Sequence, residues 1–152
     1  MLNIAGTQFS LKHKSLGIYI AGCDGKCKEC HNKEIQDYSI GQEFDKSKKK
    51  QIKNKIKEFD NIIENIFILG GEPLLQDIKS LRKLLSFVNS FNKKIWLWTR
   101  FQLNEIPTSI KIKCDYIKTG EYKEKLKTNE NIQHGIQLAT SNQNIWKQGE
   151  DY

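Results

Sequence analysis

The chain alternates short, nearly unbroken apolar runs with longer stretches in which apolar residues recur every three or four positions. Ser15-Leu16-Gly17-Ile18-Tyr19-Ile20-Ala21-Gly22 and Asn65-Ile66-Phe67-Ile68-Leu69 have strand length and are apolar throughout, as strands of a parallel sheet covered on both faces are. Residues 94–99, 115–119 and 134–140 read as a third, fourth and fifth strand. Between the strands, Ile52, Ile56 and Phe59 predict an amphipathic helix over residues 46–59. Ile78, Leu81, Leu84, Leu85, Val88 and Phe91 predict a longer one, with Pro73 near its first turn. Such alternation predicts an α/β fold of about five mostly parallel strands built from βαβ units with right-handed crossovers. In such folds the working residues gather at the carboxyl ends of the strands.

The 152 residues are 38% apolar and 28% charged with 10 Gly and 2 Pro, which excludes collagen-like, mucin-like and disordered chains and predicts a single domain over 1–152. No apolar run nears the roughly 18 residues of a membrane span; the longest, at 16–23 and 62–69, have strand length. The start Met1-Leu2-Asn3-Ile4 carries no charged segment followed by an apolar one, so a cytoplasmic location is expected, without a membrane partner.

The net charge of +7 raises the question of nucleic acid, but 23 of the 25 basic residues are Lys and only Arg82 and Arg100 are Arg, the residue that base and phosphate recognition favours. Seven of the twelve residues from Lys46 to Lys57 are Lys, interleaved with the apolar helix positions, which describes a solvated helix face. Nucleic acid is therefore not an expected partner.

The chemistry lies in the cysteines. Cys23, Cys27 and Cys30 fall within eight residues, directly after the first predicted strand, and Cys114 stands alone. The C-x3-C-x2-C array suits a metal or cluster site better than a disulfide framework. Three thiolates hold three irons of a 4Fe-4S cube and leave the fourth open to a substrate. The alternative is a zinc knob completed by His31 or Cys114, which would make the chain a zinc-stabilised basic module. Cys114 by itself reads as a buried thiol.

At this array the chain resembles the radical S-adenosylmethionine enzymes. Cys30-His31-Asn32 resembles the subgroup that activates anaerobic ribonucleotide reductases, glycyl-radical-enzyme activases in which Gly commonly precedes the last Cys where Glu29 stands here. Gly70-Gly71-Glu72-Pro73-Leu74, Ile95-Trp96-Leu97-Trp98-Thr99, the Asp115 to Gly120 stretch and Ser141-Asn142-Gln143 are similar to further segments of that subgroup, in order, covering about residues 16–145. The chain departs from it before the first strand, where residues 3–15 offer Gly6 but neither Pro nor Arg, and at Arg100, where Gly usually follows the Thr.

The resemblance implies a small partial (βα) barrel open on one side. It implies Cys23, Cys27 and Cys30 as ligands of a 4Fe-4S cluster, and S-adenosyl-L-methionine as cosubstrate, cleaved to a 5'-deoxyadenosyl radical that takes hydrogen from a glycine of the partner. The implied contacts to S-adenosylmethionine are Gly70, Gly71 and Glu72 for the methionyl ammonium, Thr99 for carboxylate or ribose, and Glu29, Cys30 and His31 beside the adenine, with no further catalytic side chain. As a plain strand-to-helix turn, strand-end threonine and loop histidine, the same residues have structural readings too. The implied partners are the large subunit of an anaerobic ribonucleotide reductase, through its glycyl-radical loop, and a low-potential electron donor such as flavodoxin or ferredoxin. A radical enzyme acting on a small molecule, similar to carboxy-deazaguanine synthase, is the enzymatic alternative.

Overall fold

A computed structural model describes residues 1–25 and 27–152. Its strands are β1 (Asn3–Ser10), β2 (Ser15–Ile20), β3 (Gln42–Glu43), β4 (Asn65–Gly70), β5 (Lys94–Trp98), β6 (Tyr116–Thr119), β7 (Ile132–Gln133), β8 (Ile136–Gln137) and β9 (Asn144–Lys147). The helices are α1 (Lys46–Glu58), α2 (Ile78–Asn89) and the single turn α3 (Thr108–Lys111). Seven strands form one sheet in the order β3-β1-β2-β4-β5-β6-β9, and β7-β8 pair separately.

The α/β expectation holds, and so do the four parallel strands β2, β4, β5 and β6. The expectation of five strands is corrected. β1 and β9 extend the sheet on either side as antiparallel neighbours of β2 and β6, and β3 pairs with β1. Residues 134–140 are not a strand of this sheet: the chain turns back at His134 and Gly135, both at positive φ (48° and 77°), to make the β7-β8 hairpin. Two successive positive-φ residues define the tight turn whose twist matches a hairpin. The long helix is also shorter than expected. Pro73–Leu75 forms a separate 3-10 turn, and α2 starts afresh behind Asp77, whose carboxylate accepts from the Ser80 amide.

Because β2, β4, β5 and β6 lie side by side in chain order, crossovers of one hand place the intervening helices on one face. Leu16, Ile18, Ile66, Ile68, Ile95, Leu97 and Ile117 point to that face and pack against Ile52 and Ile56 of α1 and Leu81, Leu84, Leu85 and Val88 of α2. Alternation sends the other set of strand residues to the opposite face. There Phe67, Trp96, Trp98 and Tyr116 form an aromatic layer, with Trp96 stacked on Tyr116 at 4.0 Å between ring centroids. Among the described residues none of the α-helices contributes to this layer; Ile136 and Leu138 of the hairpin segment cover part of it.

Candidate iron–sulfur and cosubstrate site

The uncovered part of the aromatic face, at the carboxyl ends of the parallel strands, is a cavity of about 400 Å³. Cys23, Cys27 and Cys30 line it together with Gly70, Gly71, Glu72 and Thr99, so the structure gathers residues that stand up to 76 positions apart. His31 also lines it, its ring edge-on to Tyr122 at 5.2 Å. Glu29 does not: it is exposed and holds a left-handed backbone, φ 59°, which a glycine adopts without the Cβ clash.

The cysteine loop is fixed from both sides. The Gly22 and Cys23 amides donate to the Ile35 and Gln36 carbonyls at 2.8 and 2.9 Å. From the β4 side, the Gly71 amide donates to Ile20 O, and the Glu72 amide and Gln76 Nε2 both donate to Gly22 O, at 2.8, 2.9 and 3.1 Å. A Cβ on Gly71 would lie 2.3 Å from Gly22 O, and one on Gly70, at φ 125°, 2.3 Å from Ile20 O. The two glycines thus let the end of β4 lie against the backbone that leads into Cys23, besides facing the cavity.

The Asn32 amide donates to Cys30 Sγ at 3.4 Å. Burial pushes the Cys23 thiol up, opposed by the Gly25 amide and by the Arg100 charge. Hydrogen bonds to sulfur favour the thiolate, the form that binds iron. Three part-exposed cysteines sharing one cavity are a donor set that fits a 4Fe-4S cluster with one iron unclaimed by the protein. Among the described residues no three His, Cys, Asp or Glu side chains gather around a single ion.

Cys114 has no part in the site. It is fully buried in the helix-side core, its thiol donates to Ile110 O at 3.4 Å, and burial raises its pKa. The expectation of an inert thiol is borne out, and a zinc tetrahedron completed by Cys114 is ruled out by its place on the other face of the sheet.

Glu72 is 2% exposed and caps the Pro73–Leu75 turn. Its Oε1 accepts from the Leu74 amide at 3.0 Å and from Thr99 Oγ1 at 2.7 Å, and its Oε2 from the Arg100 amide at 2.9 Å. Burial pushes its carboxyl up, and these donors oppose the shift. Thr99 therefore spends its hydroxyl proton on Glu72 and uses one of its two lone pairs to accept from the Phe101 amide at 3.2 Å.

Three features of the site went unread in the sequence. Arg100 holds Asp24 of the cysteine loop in a two-point ion pair, both N–O distances 2.6 Å. Lys118 lines the cavity; desolvation lowers its pKa to about 8, and its Nζ donates to Gly120 O at 2.9 Å. Gln143 is buried and carries the far wall: its Oε1 accepts from the Ala139 and Thr140 amides and its Nε2 donates to Gly120 O. The signals available were the opposite charges of Asp24 and Arg100, flanking two loops that the motifs already bring together, and the places of Lys118 in the Asp115 to Gly120 stretch and of Gln143 in Ser141-Asn142-Gln143.

An α/β protein that presents three cysteines to one cavity at the carboxyl end of its parallel strands is an iron–sulfur protein of a defined kind: the chain belongs to the 4Fe-4S single cluster domain family, which matches residues 13–146. It is similar to the anaerobic ribonucleoside-triphosphate reductase-activating protein of Enterobacteria phage T4, 27% identical over 133 residues that cover 85% of this chain and 81% of that protein. It is also similar to the proteins of the same name from Haemophilus influenzae, 30% identical over 105 residues and 66% of each chain, and Escherichia coli K12, 30% identical over 92 residues, 59% of this chain and 60% of that one. No helix of the described residues is long and apolar enough to cross a membrane.

Proposed function

We propose that the chain is a radical S-adenosylmethionine enzyme that activates an anaerobic ribonucleotide reductase by generating a glycyl radical on it, in a partial (βα) barrel open on one side. The observation that carries the reading is the three-cysteine loop opening into the same cavity as Glu72. The name shared by the phage and bacterial relatives favours a reductase over a small-molecule substrate.

When bound, the cluster supplies one electron to the sulfonium of S-adenosylmethionine, giving methionine and a 5'-deoxyadenosyl radical. Cys23, Cys27 and Cys30 would hold it. Glu72, with one acceptor position left on Oε2, accepts from the methionyl ammonium, and the Thr99 hydroxyl and Arg100 amide hold it in position for that task. Gly70 and Gly71 keep the ledge under the ligand thin, and His31, which lines the cavity, flanks the adenine. Trp98, Leu69 and Leu138 wall the cavity and exclude water, which protects a radical until it meets the glycine. Hydrogen abstraction requires the glycine Cα in van der Waals reach of the radical carbon, so a segment of the reductase enters through the side that no helix closes. A low-potential donor such as flavodoxin or ferredoxin supplies the electron.

The test is anaerobic reconstitution with iron and sulfide. The wild-type chain and Cys114→Ala should bind close to four irons and, with a strong reductant, form 5'-deoxyadenosine; with the cognate reductase an electron paramagnetic resonance doublet should appear that collapses when the glycine is α-deuterated. Single Cys→Ala changes at 23, 27 and 30 should abolish cleavage. Deoxyadenosine formation without a radical on the reductase would redirect the reading to a small substrate.

A further inference from the structure

Two of the three cysteines stand on a stretch of loop that the fold holds at few points. The Gly22 and Cys23 amides are bonded to Ile35 and Gln36, but among the described residues no backbone group of residues 25 and 27–31 is hydrogen-bonded to an element outside the loop. Besides the edge-on contact of His31 with Tyr122, what reaches the loop from the sheet is Arg100. Its two terminal nitrogens meet the two oxygens of Asp24 at 2.6 Å each, and the pair is largely out of solvent, with side chains 15% and 29% exposed.

Arg100 is itself anchored. Its amide donates to Glu72 Oε2 at 2.9 Å, and its guanidinium lies over the Phe101 ring, 5.2 Å from the centroid. A planar fork held in this way meets a carboxylate at two points, which a lysine cannot do. An exposed ion pair adds little stability, whereas a two-point pair shielded from water adds more. Neither partner belongs to the motifs: Asp24 falls in the interval between Cys23 and Cys27, and Arg100 follows Thr99 where Gly is usual. Both charges stand close to the sulfurs, since Asp24 adjoins Cys23 in the chain and Arg100 lines the cavity with all three thiols.

We propose that Arg100 is a positioning residue for the cluster, clasping the cysteine loop to the turn after β5 through Asp24 and setting the charge beside it. The inference rests on the reading of Cys23, Cys27 and Cys30 as cluster ligands and concerns how the loop keeps its metal. A cation near the site favours the reduced, more negative cluster and an anion opposes it, so the two halves of the clasp act on the potential with opposite sign. A pair that served only the shape of the loop would shift the potential the same way whichever half was removed.

The experiment compares reconstituted chains by the rate of iron release to a chelator and by the midpoint potential of the cluster, read by electron paramagnetic resonance in a reductive titration. Arg100→Met and Asp24→Asn should each release iron roughly 3-fold to 10-fold faster than wild type, the value of a part-buried two-point ion pair. The double variant should exceed the faster single one by no more than about twofold, because the second change removes a contact already lost. The potential should fall in Arg100→Met, rise in Asp24→Asn and lie between the two in the double variant. Arg100→Lys should keep the potential near that of wild type and still release iron faster. Asp24→Asn, which preserves shape, carries the test by its faster release and raised potential if Arg100→Met takes up no cluster. Wild-type release rates in the single variants, effects that multiply in the double one, or potentials that move in the same direction overturn the clasp alone. A wild-type chain that takes up no iron and sulfide overturns the cluster reading, and the clasp with it.

Discussion

Thr99 shows how little of a site residue's work needs to touch a ligand. Its hydroxyl is 3% exposed by residue and donates at 2.7 Å to a carboxylate that also takes two backbone amides. Replacing it by Val keeps the shape and strands one lone pair of Glu72 in a buried place, which costs about 1.5–3 kcal/mol. Thr99→Ser keeps the bond and gives up one methyl group, about 0.8 kcal/mol. Urea denaturation of the apo-proteins should rank them wild type, Ser, Val; a Val variant at least as stable as Ser would remove the bond from the account. Lys118 makes the complementary point about legibility. It is one of 23 lysines, and its pairing with Trp98 across β5 and β6 is what turns it toward the cavity. The cysteines needed no such context, since three thiols within eight residues declare their chemistry by type and spacing.

At the level of elements, the junction of β2 and β4 is the tightest piece of construction. Gly71→Ala would drive a Cβ to 2.3 Å from Gly22 O and 2.7 Å from Gly22 C, backbone atoms that cannot swing aside. The strand end and the cysteine loop must then part. The expected cost is about 1–3 kcal/mol of stability, as for other overpacked sites, together with a clear loss of iron and sulfide retained after reconstitution. Gly6→Ala, on β1 with nothing within 4 Å of the new methyl, should retain the wild-type iron content and serves as the control. Equal iron in both variants would show that the junction does not set the loop.

The elements around that junction were the readable ones. β2, β4 and β5 are continuous apolar runs because both of their faces are covered, and α1 and α2 show their buried stripes plainly. β1 and β9 sit at the antiparallel flanks, where most positions are half-buried, and a bulge between Ile4 and Gly6 breaks the alternation of β1. Residues 134–140 misled because their apolar content, Ile136 and Leu138, serves as a lid over the aromatic layer instead of as a strand in the sheet; the two positive-φ residues that turn the hairpin left only His134-Gly135 as a trace.

Taken as a whole, the molecule separates packing from chemistry across the sheet. The helices and the lysine-rich stretch of α1 lie with the larger core, while the cavity draws its charge from Glu72, Arg100, Lys118 and Glu121 on the other side. The excess of +7 is therefore no guide to the charge a ligand meets. The aromatic layer has an optical consequence. Trp98 lines the cavity, with Phe67 at 4.7 Å and Trp96 at 6.0 Å between ring centroids, so one of the chain's three indoles stands at the site where a strongly coloured iron–sulfur group would sit and a second lies directly beside it. Excited tryptophan gives up its energy readily to such an absorber, and the emission of this protein should fall steeply as iron and sulfide are taken up and recover when air destroys the cluster. Trp98→Phe should lose a large part of that change. Emission that ignores loading would place the iron elsewhere, whereas a matching titration would turn the buried face of the sheet into a built-in gauge of how much protein carries its metal.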